Sequence, residues 1–279
     1  MGAVALLANP ESGSGEADRV EELLRDRGAD VSRFSLDVAT AVLESEPQRI
    51  VVAGGDGSVG CAADVAARAP APLAVVPVGT ANDFARALGI PLDVAQATEL
   101  AVRGTRTRPL DLGAAGERPF VNAASAGLSP AAARKAHGLK RVLGPLAYTV
   151  GALRAGVTAQ PLGCQVRCDG DELFAGRAWQ VTVACTGAFG GGAGVEADPR
   201  DGILDVVVIE AGSRARLALH AYGMRAGRVE RHAGVTTGGG REVEVETDKR
   251  TSFNVDGELV DAASLRFTVR PHAFEVVAP

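Results

Sequence analysis

Residues 50–61 constrain the fold of this chain more than any other stretch. Their sequence is IVVAGGDGSVGC, an apolar β-branched run that passes through a glycine loop around Asp56 and into the alanine-rich residues 58–69. This order predicts a buried strand, a tight loop and the start of a helix. Glycine lets a backbone approach a ligand closely, and free N–H groups at a helix start favour an anion. The stretch therefore predicts a phosphate-binding loop. Its candidate ligand residues are Gly54, Gly55, Gly57 and Ser58.

The carboxylate of Asp56 has two interpretations. Diphosphates reach enzymes with Mg²⁺ attached, and a carboxylate beside a phosphate loop suits the positioning of a metal ion or a water molecule. The same side chain is also suited to capping the helix that follows it. The stretch alone leaves both interpretations open.

Two further segments repeat the order of strand, loop and helix. Residues 4–8 form an apolar run followed by Asn9 and Ser12, and residues 73–78 form another followed by Thr80 and Asn82. Ligands of open parallel sheets bind beyond the carboxyl ends of the strands, where such loops meet. The hydroxyl groups are equally suited to capping helices. We expect a Rossmann-like α/β nucleotide-binding domain over residues 1–109. Its converging polar residues are Asn9, Ser12, Asp56, Ser58, Thr80 and Asn82.

Near residue 108 the pattern changes to strands separated by turns. Alternation is clearest at residues 242–246, where Val243 and Val245 would face a core and glutamates would face water. We predict a β-rich domain over residues 110–270, a β-sandwich or an open barrel, with residues 271–279 returning to the first domain. The strand candidates are 165–168, 179–185, 204–209, 242–246, 252–255 and 265–269. Helices are expected at 130–141, 145–157 and 214–228.

Composition and charge narrow the class of protein. The chain has 29 Lys and Arg against 34 Asp and Glu, and this net charge of -5 provides no electrostatic argument for a nucleic-acid partner. Four cysteines without CxxC spacing predict neither a zinc site nor a disulfide framework. We expect a cytoplasmic protein without a signal peptide or a transmembrane segment. An exposed strand edge of the β-rich half is the candidate interface for a homodimer.

Six motifs occur in order along nearly the whole chain. They are AGGDGSVG at 53–60, PVGTANDFARALGIP at 77–91, LDLG at 110–113, FVNAASAGL at 120–128, DPRDGILDVVV at 198–208 and NVDGE at 254–258. Together they resemble the soluble bacterial diacylglycerol kinases and YegS-like lipid kinases. NAD kinases and phosphofructokinases share GGDG, whereas the GTANDFAR block with a late DGE is more specific to lipid kinases. The resemblance implies transfer of the ATP γ-phosphate to a lipid hydroxyl, of diacylglycerol or a related alcohol.

The resemblance also implies roles for individual residues. Asp256 is the expected proton acceptor, with Glu258 beside it, and Asp56 shares base and metal duties with them. A second, structural Mg²⁺ is implied in the loop 198–203. Its ligands would be Asp198, Asp201 and the carbonyl of Ile203. The nucleotide would meet Asn9, Gly55, Asp56, Gly57, Ser58 and Thr80. From the residues alone, a hairpin turn is the better explanation of Asp256-Gly257, and a plain Asp-Gly turn also explains the loop 198–203.

Three positions depart from the family pattern. Ser58 stands where the family usually has Thr and keeps a hydroxyl, whereas Gly60 and Cys61 stand where it usually has Asn and Glu, so a carboxylate is lost at position 61. This leaves a weakly active or non-catalytic nucleotide- or lipid-binding protein as one alternative, and an NAD kinase-like enzyme as another.

A lipid substrate predicts transient contact with a membrane surface. The candidate segment is Leu143 to Val157, preceded by Lys135, Lys140 and Arg141. A core helix with a solvated basic end explains the same residues.

Overall fold

The computed structural model describes residues 2–9, 15–128, 160–189, 193–214 and 229–279, together with residues 217, 220 and 223. Strands and helices alternate in its first part, which we call the α/β region. The elements are β1 (Ala3–Ala8), α1 (Glu16–Asp26), β2 (Asp30–Ser35), a 3₁₀ helix (Leu36–Ser45), β3 (Arg49–Gly54), α2 (Asp56–Ala66), β4 (Leu73–Pro77), α3 (Asp83–Leu88) and α4 (Val94–Arg103). The predicted α/β fold is confirmed.

The sheet of the α/β region is parallel and has the order β2-β1-β3-β4. The chain leaves β1 toward one edge and β3 toward the other, so the order reverses between these two neighbours. Open α/β sheets bind ligands beyond the carboxyl ends of the strands at such a switch point. Asn9 after β1 and the glycine loop after β3 follow the two strands that flank this switch point.

Helices cover both faces of this sheet because successive strand residues point to opposite sides. On one face, Leu24 of α1 and Ala101 of α4 are buried with Leu6 of β1. On the other face, Val59 of α2 and Phe84 of α3 share a core with β3 and β4. Strands buried on both sides explain the continuous apolar runs in the sequence.

Strands dominate the second part, which we call the β-rich region. They are β5 (Thr107–Ala115), β6 (Arg118–Phe120), β7 (Ala123–Gly127), β8 (Leu162–Cys168), β9 (Asp171–Ala184), β10 (Ala188–Phe189), β11 (Ala193–Gly194), β12 (Leu204–Glu210), β13 (Val235–Gly240), β14 (Glu242–Val255) and β15 (Glu258–Val277). Strand β8 pairs with both β14 and β9, which folds the sheet back over a core containing Val166, Val181 and Phe253. The predicted β domain is confirmed.

The predicted strands 242–246, 252–255 and 265–269 are extended in the structure, but they are parts of longer strands. Residues 242–246 and 252–255 both belong to β14, and residues 265–269 continue into the returning C-terminal residues within β15. The two strands form a long hairpin whose register shifts between Glu246 and Thr251. The polar residues 247–250 lie at this irregularity, where Thr247 pairs with Cys164 of β8 and donates its hydroxyl to the carbonyl of Ala263. Periodicity within one segment does not reveal these contacts.

Strand β15 joins the two regions. It pairs with β14 and β5, and Val276 lies opposite Leu73 of β4 in the parallel sheet. Its pairing with β5 shifts between Arg270 and Phe274. There the buried carboxylate of Asp111 accepts the N–H of His272 at 2.7 Å. One sheet therefore runs from the β-rich region into the α/β region.

Several predicted segments lie outside the described residues. They are the helices at 130–141 and 145–157, with Lys135, Lys140 and Arg141, and most of the helix at 214–228. Within the described ranges, no helix is both long and apolar enough to cross a membrane.

Candidate active site

The loops after β3 and β4 touch at two glycines. A β-carbon on Gly79 would lie 2.5 Å from the Cα atom of Gly55, so neither loop has room for a side chain at this contact. Asn82 closes the second loop on itself: its Oδ1 accepts the N–H of Gly79 at 3.0 Å, and its Nδ2 donates to the Gly79 carbonyl at 2.9 Å. The amide of Asn82 is thus engaged within its own loop.

Asp56 does not cap the helix that it begins. Gly55 is the N-cap of α2 and no side chain caps that helix. The carboxylate of Asp56 instead accepts the N–H of Asp83 at 3.1 Å and that of Phe84 at 2.9 Å. The capping interpretation of Asp56 for α2 is therefore wrong: this side chain ties the glycine loop after β3 to the start of α3.

Asp256 lies in the hairpin turn between β14 and β15. Asp256 and Gly257 have φ angles of 45° and 94°, as a two-residue hairpin turn with two left-handed residues requires. The turn interpretation is confirmed. The side chain of Asp256 also makes contacts of its own outside the turn. The carboxylate accepts backbone N–H groups of Val121 at 2.7 Å, Asn122 at 3.1 Å and Ala123 at 3.1 Å. The turn thus aims a carboxylate at the segment between β6 and β7.

The environment of Asp256 suits a proton acceptor. Burial raises the pKa of its carboxyl to about 7, and the negative charge of Asp56 acts in the same direction. The N–H groups of Val121, Ala123 and Asn122 oppose this rise because they favour the ionised form. A carboxyl with a pKa near neutral exchanges protons efficiently at physiological pH.

Asn122 connects the two aspartates. Its backbone N–H donates to Asp256, and its Nδ2 donates to Oδ1 of Asp56 at 2.9 Å. Thr186 donates its hydroxyl to Oδ1 of Asn122 at 2.8 Å. The sequence analysis missed Asn122 as a site residue. The available signal was one amide side chain inside an otherwise apolar run, FVNAA.

Glu258 lies at the first turn of α2. A β-carbon on Gly57 would be 3.0 Å from Oε1 of Glu258, and the other carboxylate oxygen forms an ion pair with Arg118 of β6. Arg118 was also missed, since nothing in its local sequence distinguishes it from other surface arginines. The pair places one cation beside the carboxylates of the site.

Gly60 and Cys61, which depart from the family pattern, lie where α2 packs against β6. A β-carbon on Gly60 would be 3.1 Å from the carbonyl oxygen of Pro119, so α2 packs directly against the backbone of β6. Cys61 is half-buried, and burial raises the pKa of its thiol while the nearby Arg118 acts against this rise. Position 61, where a carboxylate is missing, is therefore close to Arg118. In this chain Arg118 pairs with the carboxylate of Glu258.

The remaining predicted nucleotide residues follow the carboxyl ends of β1, β3 and β4 in the chain. Ser58 packs over Gly54, where a β-carbon would be 2.4 Å from the Cβ atom of Ser58. Thr80 and Asn9 are exposed at the ends of β4 and β1. Ser12 lies outside the described residues.

The loop 198–203 is held by internal contacts. Arg200 donates to both carboxylate oxygens of Asp198 at 3.0 and 3.2 Å, and this hydrogen bonding lowers the pKa of Asp198. Asp201 accepts the N–H of Ile203 at 3.0 Å. Burial raises the pKa of the neighbouring Asp205 to about 6, and the charge of Asp201 contributes. Across the described part of the chain, no three His, Cys, Asp or Glu side chains form a metal-binding cluster.

Two family models match this chain. The model described as the diacylglycerol kinase catalytic domain matches residues 3–115, and that of the YegS C-terminal NAD kinase beta sandwich-like domain matches residues 122–278. The second match spans more than half of the 279 residues. The chain belongs to the family of YegS-like lipid kinases and diacylglycerol kinases.

Individual members of this lipid kinase family resemble the chain over most of its length. A YegS-like lipid kinase of Pseudomonas putida is 35% identical over 240 residues, which cover 82% of this chain and 77% of the relative. A diacylglycerol kinase of Staphylococcus epidermidis is 27% identical over 246 residues, with 86% and 77% covered. The crystal structure of a diacylglycerol kinase from Bacillus anthracis superposes with a TM-score of 0.78 at 21% identity, covering 99% of this chain and 97% of that one. That superposition shows a shared fold.

Proposed function

We propose that the protein transfers the γ-phosphate of ATP to the hydroxyl group of diacylglycerol or a related lipid alcohol. Family membership supports a lipid kinase. One observation supports Asp256 and Asp56 as parts of the active site. The carboxyl of Asp256 has a pKa of about 7, and Asn122 links it to the carboxylate of Asp56.

The proposed reaction uses Asp256 as the base. A carboxylate oxygen of Asp256 takes the proton of the lipid hydroxyl while the lipid oxygen forms a bond to the γ-phosphorus. The bond between this phosphorus and the oxygen that bridges the β- and γ-phosphates breaks, and ADP leaves. Proton removal at the attacking oxygen is the step for which phosphoryl transfer needs a side chain, since the rest is positioning and charge neutralisation.

The phosphate loop of β3 and α2 would receive the nucleotide. The first turn of α2 follows Gly55 and has no side-chain cap, so its N–H groups suit phosphate oxygens. Asn9, Ser58 and Thr80 follow the carboxyl ends of neighbouring parallel strands and would line the same nucleotide site.

The donor set at this loop fits Mg²⁺. Three hydrogen bonds occupy the carboxylate of Asp56, which has about four lone-pair positions, so one oxygen retains accepting capacity. Asp56 and Glu258 would hold the ion, which when bound supplies charge neutralisation for the phosphates.

A structural Mg²⁺ in the loop 198–203 remains part of the proposal. Asp198, Asp201 and the carbonyl of Ile203 are the oxygen ligands that the resemblance implies. Burial is the main cause of the raised pKa of Asp205, and the negative charge of Asp201 adds to it; a bound cation would offset that second contribution. For Mg²⁺ to bind there, the Asp198 carboxylate would have to release its hydrogen bonds from Arg200 and coordinate the ion.

We further propose a cytoplasmic location with transient contact at a membrane surface, where the lipid substrate resides. The candidate interface for a homodimer is a strand edge of the β-rich region, where β13 stands at one end of the main strand path through the sheet.

The test measures transfer of labelled γ-phosphate from ATP to a panel of lipid alcohols in mixed micelles, with Mg²⁺ or with chelator. NAD is included as an acceptor. Mg²⁺-dependent phosphorylation of a lipid, lost in Asp256→Asn, is the expected result. Phosphorylation of NAD alone would identify an NAD kinase instead. ATP binding without transfer to any acceptor would identify a non-catalytic binding protein.

A further inference from the structure

We infer that Asn122 is the positioning residue that holds Asp56 and Asp256 in one arrangement, and that Thr186 fixes the orientation of its amide. The inference deepens the proposed function, on which it rests for its kinetic consequences. The hydrogen bonds themselves do not depend on which acceptor is phosphorylated.

The amide of Asn122 has one orientation that satisfies its neighbours. The side chain is 2% exposed, so water does not compete for its polar atoms. Its Nδ2 faces the Asp56 carboxylate, which only accepts hydrogen bonds, while its Oδ1 accepts the hydroxyl of Thr186. A flipped amide would direct an oxygen at a carboxylate.

The backbone of the same segment is fixed independently. The carbonyl of Asn122 accepts the N–H of Cys185 at 2.8 Å, and the carbonyl of Val121 accepts the N–H of Thr186 at 3.2 Å. Residues 121–122 therefore lie along residues 185–186. The N–H groups that bind Asp256 and the side chain that binds Asp56 consequently belong to one rigid segment.

The two aspartates reach Asn122 from different regions of the fold. Asp56 begins α2 in the α/β region, whereas Asp256 occupies the β14–β15 turn. Asn122 thus sets the distance between the carboxylate at the phosphate loop and the proton acceptor. Such positioning affects turnover more than binding, because reacting atoms must meet within a few tenths of an ångström.

The charged groups around Asp256 are few among the described residues. Asp56 faces it from α2, and the Arg118–Glu258 pair lies next to the turn. Asn122→Asp would add a carboxylate between the two aspartates and replace the hydrogen bond donated to Asp56 by repulsion between like charges.

The experiment compares Asn122→Ala, Asn122→Asp, Thr186→Val and Thr186→Ser in the full chain. Asn122→Ala is expected to lower kcat on the order of tenfold to a hundredfold with little change in KM for ATP. Thr186→Val is expected to lower kcat by about fivefold, and Thr186→Ser, which keeps the hydroxyl, to recover most of that loss. Thr98→Val is the matched control, since it removes a buried threonine hydroxyl that is hydrogen-bonded within α4, away from the site. It is expected to leave kcat unchanged.

A second measurement is independent of activity. In thermal unfolding, the stability loss of an Asn122→Ala, Thr186→Val double variant is expected to be smaller than the sum of the two single losses, because the two side chains share one hydrogen bond. Asn122→Asp is expected to be less stable than Asn122→Ala, since it places a third carboxylate beside Asp56 and Asp256. Additive losses in the double variant, or equal kcat in Thr186→Val and wild type, would overturn the inference. If the wild type phosphorylates no acceptor, the proposed function fails while the unfolding measurements still decide whether Asn122 and Thr186 act together.

Discussion

Gly57 and Glu258 approach each other so closely that a β-carbon on Gly57 would lie 3.0 Å from Oε1 of Glu258. The contact brings the end of the β14–β15 hairpin onto the first turn of α2. It joins two motifs, GGDG and VDGE, that are about 200 residues apart in the sequence. The phosphate loop and the proposed base are therefore parts of one packed unit.

This contact predicts opposite effects of alanine at two glycines of α2. Gly57→Ala is expected to keep or slightly raise thermal stability, because alanine favours a helix by about 1 kcal/mol and the Glu258 side chain, exposed on its solvent side, is able to shift together with Arg118. Its kinase activity is expected to fall, since Glu258 is displaced. Gly60→Ala is expected to lower stability by about 1–3 kcal/mol, because its β-carbon meets the backbone of Pro119. Thermal unfolding and phosphate transfer distinguish the two. A destabilised Gly57→Ala with normal activity would contradict the interpretation.

Arg118 is predicted to act through its ion pair with Glu258. Arg118→Gln leaves Glu258 without a cation beside Asp56 and Asp256, and kcat/KM for Mg-ATP is expected to fall about tenfold. Arg118→Lys should retain part of the activity because the charge remains. Arg103→Gln is the matched control, since Arg103 pairs with Glu99 on α4. Equal losses in the Arg118→Gln and Arg103→Gln variants would show that the effect is not specific to the site.

Removal of the proposed base is predicted to separate chemistry from binding. Asp256→Ala should abolish transfer while ATP affinity changes less than about threefold, because the phosphate loop belongs to the α/β region. Calorimetric titration with ATP and the transfer assay measure the two properties. Unchanged turnover in this variant would remove Asp256 from the mechanism.

The pKa of Asp256 predicts how rate and stability depend on pH. The rate should rise with pH to a plateau, with a midpoint near the pKa of about 7, because only the ionised carboxyl accepts a proton.

The same pKa affects stability. An unfolded Asp carboxyl titrates near pH 4, so folding takes up a proton between about pH 4 and 7. The contribution of Asp256 to the free energy of unfolding therefore decreases as pH rises through this window. Asp256→Asn should flatten that part of the stability profile. A rate independent of pH between 5 and 8 would speak against this residue as the base.

Mg²⁺ is predicted to stabilise the fold through the loop 198–203 without nucleotide. At a hundredfold excess over its dissociation constant, a single bound ion raises the free energy of unfolding by about 2.7 kcal/mol. Asp201→Asn should abolish this gain, whereas Asp56→Asn should retain it. Differential scanning calorimetry with Mg²⁺ or with chelator makes the measurement. A gain that survives Asp201→Asn would place the stabilising ion elsewhere.

Much of the candidate site was predictable from local patterns. The run from Ile50 to Gly57 indicates a strand and a phosphate loop, because alternation, β-branching and glycine placement depend on neighbours in the chain. The pair Asp256-Gly257 likewise indicates a hairpin turn. In each case the signal lies within a few residues, and the structure has the predicted element there.

Other features required the tertiary structure. The sequence by itself determined the order of strands and loops, the α/β and β-rich regions and the family motifs. Only the fold decided that Asp56 bonds to α3 and Asn122, that Asp256 faces residues 121–123, and that Arg118 pairs with Glu258. Apart from the contact between Asp56 and α3, these interactions join residues more than 60 positions apart. Their partners are set by how the strands pair and pack, for which no local pattern of the chain carries a signal.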